Sequence, residues 1–258
     1  MSNRNRIILF GGLLAVIAGL IITAILYYAT RPRTLMAAIS RGNVQAVRSF
    51  LHEDGLEAGP SAPLYLKQAI WYYSSALPRE RDISERRREH LKQISCEMVK
   101  LLVQYGAEIN QPSRPNGNTP LMDALLMGNI KVAHYLIEQG ALVNVVNNDY
   151  ETPLMYALLF DGNIEIVELL FDHHAKETIN YVDISGNSAL HRTYDAAIVQ
   201  LLLENGADPN IINLDGDTPW SLAQRYNIKE IISVLEKYMK TNGENGVDSD
   251  TLSGMQND

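Results

Sequence analysis

The chain has one cysteine in 258 residues, Cys96. A single thiol excludes an intramolecular disulfide and any multi-cysteine zinc site, and it leaves reducing and oxidising compartments both open. Cys96 precedes Met98-Val99 and Leu101-Leu102 in an apolar helical pattern, so it is expected to be a buried, inert thiol. Basic residues are outnumbered: 22 Lys and Arg stand against 30 Asp and Glu, for a formal charge of -8. Non-specific nucleic-acid binding needs a basic face, so no nucleic-acid partner is expected. A glycine-rich phosphate loop, a serine elbow and a paired-carboxylate motif are also missing. The chain is therefore not expected to be an enzyme or to use a catalytic residue, a cofactor, a metal or a small-molecule substrate. Asp172-His173-His174 comes nearest to a metal or acid–base cluster, but adjacent residues do not share a helix face, so the pair reads as a helix end. His52-Glu53-Asp54 has no second histidine at zinc-site spacing.

What is present begins with an uncharged run, Ile7 to Tyr28. At about 1.5 Å per residue a helix of this length crosses the roughly 30 Å hydrocarbon layer. Residues 7–28 are accordingly expected to be a transmembrane helix after a basic flank at 1–6, with Arg4, Arg6, Arg31 and Arg33 bracketing it and Tyr27 and Tyr28 at the interface. The run is longer than the apolar part of a cleaved signal, so an uncleaved anchor is the reading. The flanking charges nearly balance. The expected placement is a single-pass protein of a bacterial inner membrane with the downstream domain on the periplasmic side.

From Thr34 onward one pattern recurs. Asn118 to Asn144 shows it whole: Thr119-Pro120-Leu121 opens a first helix, Gly128-Asn129 breaks it, Ile130 to Gln139 makes a second, and Gly140-Ala141 ends the unit. Thr152-Pro153-Leu154 repeats the opening 33 residues later. Threonine caps a helix, proline fits its first turn, and glycine ends a helix where a positive φ is needed. In the second helices Val132-Ala133 with Leu136-Ile137, Ile166-Val167 with Leu169-Leu170, and Ile198-Val199 with Leu201-Leu202 form one buried stripe each. The pattern and its period resemble the ankyrin repeat. The resemblance covers about Thr34 to Met239 and implies an all-α solenoid of about six helix-turn-helix units with short hairpin loops, domain 34–239. It departs in the first two units, and the fifth opens Ser188-Ala189-Leu190 with a shortened first helix. The second carries a mixed-charge insertion at about 74–94, read as a solvated helical extension. The last unit reads as a polar cap, and 240–258 is expected to be disordered. His191 takes the motif's histidine slot, for which the resemblance implies a structural hydrogen bond near the turn.

The resemblance also implies protein binding without catalysis, through the hairpin tips and the end of each first helix. Aligned here, the candidate protein-binding residues are Arg114, Asn116, Asn148, Tyr150, Ile184 and Leu214 at the tips and Leu126, Met127, Leu159 and Phe160 in the helices. Large exposed apolar patches mark interaction sites, so Leu126, Met127, Leu159, Phe160 and Tyr150 are expected to form an apolar groove. The competing expectation is that the enlarged second or the shortened fifth unit covers them. Three functions follow: a membrane-tethered adaptor or scaffold for a partner protein, an immunity or inhibitor protein neutralising a toxin or lipase at the membrane, or an accessory protein protecting or activating a periplasmic enzyme.

Overall fold

The computed structural model describes residues 34–54, 62–75, 85–113, 115–159 and 164–243. Regular structure among these residues is helical, without a strand; Ser113 and Asn118 form one isolated bridge. In chain order the helices are α1 (Leu35–Ser40), α2 (Val44–Asp54), α3 (Ala62–Ser75), α4 (Glu85–Gln104), α5 (Pro120–Leu126), α6 (Ile130–Glu138), α7 (Pro153–Ala157), α8 (Ile164–Asp172), α9 (Ala196–Glu204), α10 (Pro219–Arg225) and α11 (Lys229–Gly243). Two 3₁₀ turns, Ala175–Thr178 and Ala189–His191, complete the set, and the second stands where the fifth unit lacks a full first helix.

The short inner helices start as their caps dictate. The hydroxyls of Thr34, Thr119, Thr152 and Thr218 each accept the backbone N–H three residues on, at 3.1–3.3 Å. Proline at the first turn of α5, α7 and α10 gives up no hydrogen bond there. Inner elements pack against the longer helix that follows and against the next inner element, as α3, α5 and α7 do in succession. The outer helices bury the stripe expected in α6, with Val132, Ala133, Leu136 and Ile137 wholly inside, but in α8 and α9 the expected Leu169 and Leu201 are only half-buried and Phe171 and Leu203 complete the buried face instead. Cys96 is buried among them, and burial pushes its thiol up from the ordinary value. A fully buried aliphatic side chain stabilises by about 1.5–3 kcal/mol, so the stack rests on this repeated inter-helix seam rather than on one central core.

The mixed-charge stretch is not a separate element where it is described. Glu85 to Ile94 form the leading turns of α4, exposed as far as His90 and packed from Leu91 onward. Helix α11 continues through Gly243, past the start of the expected disordered tail, whose remainder lies outside the described residues.

The membrane placement is corrected. The expected span at 7–28 lies outside the described residues, and no described helix is long and apolar enough to cross a bilayer. The longest, α4, opens with Glu85, Arg86, Arg87, Arg88 and Glu89, and such charges are costly in hydrocarbon. A single-pass, inner-membrane, periplasm-facing protein is therefore not supported.

Candidate protein-binding surface

Between the units from the third onward the chain turns in tight hairpins, each folded around one buried Asn or Asp. Asn147 Oδ1 accepts the N–H groups of Asp149 and Glu151 at 2.9 Å, Asp183 Oδ1 those of Ser185 and Asn187 at 2.7 and 2.9 Å, and Asn213 Oδ1 those of Asp215 and Asp217 at 3.0 and 2.9 Å. This is the side-chain turn mimicry for which Asn and Asp are chosen. Successive tips are joined through the backbone: Asn148 N–H donates to Asn116 O, Ile184 N–H to Asp149 O and Leu214 N–H to Ser185 O, at 2.9–3.1 Å.

Because alternate residues of an extended segment face opposite ways, burying the polar residue turns its apolar neighbours outward. Val146 and Val182 are 40% exposed, Ile184 60%, Ile212 63% and Leu214 79%. The polarity is inverted relative to a folding requirement, with polar side chains inside and aliphatic ones in solvent. Tyr150 adds to the row at 60% exposure, with φ of +59° where the equivalent residues are Gly186 and Gly216. A left-handed backbone costs a non-glycine residue roughly 1–2 kcal/mol, so the ring is held at the tip against the backbone's preference.

Beneath the tips lies a polar network drawn from three units. Tyr156 Oη donates to Glu151 Oε2 at 2.7 Å, and Asn147 Nδ2 donates to Asn118 Oδ1 at 2.8 Å and to Glu151 Oε2 at 3.0 Å. Arg192 then bridges two tips: Nη2 reaches Glu151 Oε1 at 2.8 Å and Asp183 Oδ2 at 2.5 Å. Burial alone would push the Glu151 carboxyl up, but hydrogen bonds from Tyr156, Asn147 and Arg192 outweigh it and hold the group below its ordinary value. Asp183 is likewise raised by burial and lowered further by Arg192 and by the backbone N–H groups of Asn187 and Ser185. Burial, then the bond to Glu151, pushes the Tyr156 hydroxyl up to about 12. His191 makes the bonds expected of its slot. Its Nδ1 accepts Ser188 N–H at 3.1 Å, which leaves Nε2 as the donor to Asp217 O at 3.1 Å. Burial lowers its pKa and favours the neutral ring.

The structure divides the sequence-predicted set. Tyr150, Asn148, Ile184 and Leu214 lie exposed on the tips, and Asn116 joins them through its bond to Asn148. Leu126, Met127 and Leu159 are half-buried and pack against the core, with Met127 capping α5. Arg114 and Phe160 lie outside the described residues. The sequence reading missed Val146, Val182 and Ile212, although a buried Asn or Asp between apolar residues was visible in Val182-Asp183-Ile184 and Ile212-Asn213-Leu214. It also missed Arg192, Glu151 and Tyr156. Their one signal is that Arg192 follows His191 at the position where other units carry Asp123 and Tyr156. Among the described residues no group of three or more His, Cys, Asp or Glu is placed to hold a metal ion, and His174 is a left-handed residue ahead of a 3₁₀ turn.

Comparison with known proteins agrees with this geometry. A family model for ankyrin repeats (3 copies) matches residues 91–183 and 139–211. The chain is 31% identical over 141 residues to the ankyrin repeat protein FPV223 of fowlpox virus (strain NVSL), covering 54% of this chain and 96% of the relative. It is 29% identical over 115 residues to an ankyrin repeat protein of Rickettsia felis, covering 43% of this chain and 37% of that one. Among solved structures, a chain from the Bd0816 predatory endopeptidase of Bdellovibrio bacteriovorus in complex with immunity protein Bd3460 superposes with a TM-score of 0.61 at 20% identity. That match covers 80% of this chain and 97% of the other, and at such identity it speaks to fold alone.

Proposed function

We propose, from the premise that this chain belongs to the ankyrin-repeat family, that it is an adaptor or scaffold holding a partner protein on the tips of its fourth to sixth units. Ankyrin repeats act through protein–protein interaction, and the finer reading concerns where. The observation that carries it is the inverted polarity of the hairpins, which leaves Ile184, Ile212 and Leu214 in solvent while Asp183 and Asn213 are buried. Exposed aliphatic and aromatic side chains in one contiguous row are the signature of a surface covered by something else. The half-buried Leu126, Met127 and Leu159, at the ends of their helices, are a secondary part of the proposed surface.

Affinity capture with the full chain, with the captured protein identified and its binding then measured in purified form, tests the proposal. Ile184→Ser with Leu214→Ser is expected to weaken that binding by about a hundredfold or more, as hot-spot losses do, with unfolding unchanged within about 0.5 kcal/mol. Unaltered affinity in the double variant would refute the placement.

A second reading is that the bound partner is a hydrolase and the chain its immunity or inhibitor protein. It is supported by the shape shared with a chain from an endopeptidase–immunity protein complex. Turnover by the captured partner that falls on binding, and returns with the double variant, separates an inhibitor from a scaffold.

A further inference from the structure

The last two outer helices leave a trough between them. One cavity of about 380 Å³ lies between α9 and α11, walled by Leu203, Val234 and Tyr238, with Glu204 and Lys237 exposed at its rim. A second, of about 520 Å³, continues past Tyr238 to Met239 and the turn at 206–210. Tyr238 lines both, so the trough runs to the C-terminal end of α11. Val234, Tyr238 and Met239 are only half-buried, each packed against the core while still lining the trough. Charge does not select an occupant. Lys237 stands against Glu204 and Asp208, and both carboxylates already accept hydrogen bonds, from Gln200 at 2.8 Å and from Asn210 N–H at 2.9 Å. Apolar contact is what the trough offers.

The chain itself brings an occupant to the mouth. Helix α11 ends at Gly243, about 6 Å of helix beyond Met239, and residues 244–258 follow. Asn245-Gly246 is a turn signal, the reversal needed to run back along α11. Beyond it Val247, Leu252 and Met255 are the apolar residues of an otherwise polar stretch. An extended chain covers about 3.3 Å per residue, so about 30 Å of chain separates Leu252 from Gly243. Val234 lies only about 14 Å back along the helix from Gly243, so the length suffices for both cavities. Tethering also gives the segment an effective concentration on the order of millimolar, an advantage that neither a second copy nor a separate partner shares.

We infer that residues 244–258 turn back at Asn245-Gly246 and lie as a strap in this trough, Val247 beside Met239 and Leu252 against Val234 and Tyr238. The strap closes the end of the array, in place of the disorder expected from the segment's composition. It rests on the outer helices and is independent of the reading of the tips.

Paramagnetic relaxation in the full chain tests the strap. A nitroxide is attached at Ser253→Cys, and Cys96, being buried, is out of the label's reach. The amide signals of residues 203–210 and 234–239 are expected to be lost while those of Ile184 and Leu214 are kept. The lost signals are expected to return when the labelled chain also carries Val247→Ser/Leu252→Ser. Without the label, that double variant is expected to exchange the amides of residues 234–239 about tenfold faster than the wild type. Broadening spread evenly over the array, or no broadening at all, overturns the inference, as does selective broadening or slow exchange that survives in the double variant. Broadening that appears on an unlabelled, isotope-enriched chain mixed with the labelled one also overturns it, because the occupant is then a second copy.

Discussion

Arg192→Met removes the charge that ties two hairpins together while keeping an unbranched side chain of similar reach. Arg192 donates from Nη2 to both Glu151 and Asp183 and from Nε to Asp183 at 3.2 Å, and the Arg192 and Glu151 side chains are only 18% exposed. Breaking a fully buried pair costs about 3–5 kcal/mol, and the residual access to water brings the expectation here to about 2–3 kcal/mol. For an array of this size that corresponds to a midpoint lower by roughly 4–12 °C. The effect is tied to pH. Glu151 and Asp183 are held below their ordinary values, so the stability they contribute is full above the unfolded-state range of about 4–4.5 and is lost as pH falls through their folded values. The difference between wild type and variant, read from urea unfolding, should be largest near about pH 7 and shrink toward about pH 3. His191 is depressed by burial in both proteins and weakens both as pH drops through about 6.5, so it cancels from the difference. A difference that stays constant from neutral to acid pH refutes the bridging role.

Tyr150→Gly should stabilise the chain by about 0.5–1 kcal/mol in thermal or urea unfolding, because it relieves the left-handed backbone at φ +59° and gives back only part of the gain in unfolded-state entropy. It should at the same time weaken partner binding. Lower stability would mean that the ring belongs to the fold. Gly186→Ala places a Cβ 3.0 Å from Asn213 Cα and Leu214 N at φ +77°. It should cost about 1–3 kcal/mol and weaken partner binding by displacing the next tip, whereas wild-type stability would show the stacking to be slack. Tyr156→Phe leaves Glu151 without its 2.7 Å donor and should cost about 1–2 kcal/mol by urea unfolding; a neutral outcome would show that water replaces the hydroxyl.

The stacking units were legible because their signals are local. Thr119 and Thr152 cap helices three residues away, proline sits in the same turn, and the apolar stripe of α6 lies within nine residues. The tip residues Tyr150, Ile184 and Leu214 were legible for the same reason, since the alignment of units carries them to the hairpins. Leu126, Met127 and Leu159 were harder. Each lies within a few residues of the unit's breaker, and whether such a side chain faces solvent depends on tertiary packing, which sets all three half-buried against the core. Arg192 was illegible because its partners, Glu151 and Asp183, lie 41 and 9 residues away on separate hairpins, and no periodicity marks the pair. The apolar run at 7–28 was read through its length, hydropathy and flanking Arg and Tyr residues, signals about solvent preference in a segment that lies outside the described part of the fold.

The single backbone bonds joining Asn148 to Asn116, Ile184 to Asp149 and Leu214 to Ser185 have a mechanical consequence. Along the inner edge each unit is tied to the next by a short backbone bond with directional side-chain bonds beside it, such as Asn147 to Asn118, Arg192 to Glu151 and Asn213 to Asn187, while along the outer edge it is held by non-directional aliphatic contact. An array built this way bends about its tips as a roll-top slides about its cord: the outer helices can spread or close by small sliding steps while the row of tips keeps its pitch. Curvature is then the soft coordinate of the molecule and tip spacing the stiff one, so a partner gripping the tips meets a ruler rather than a spring.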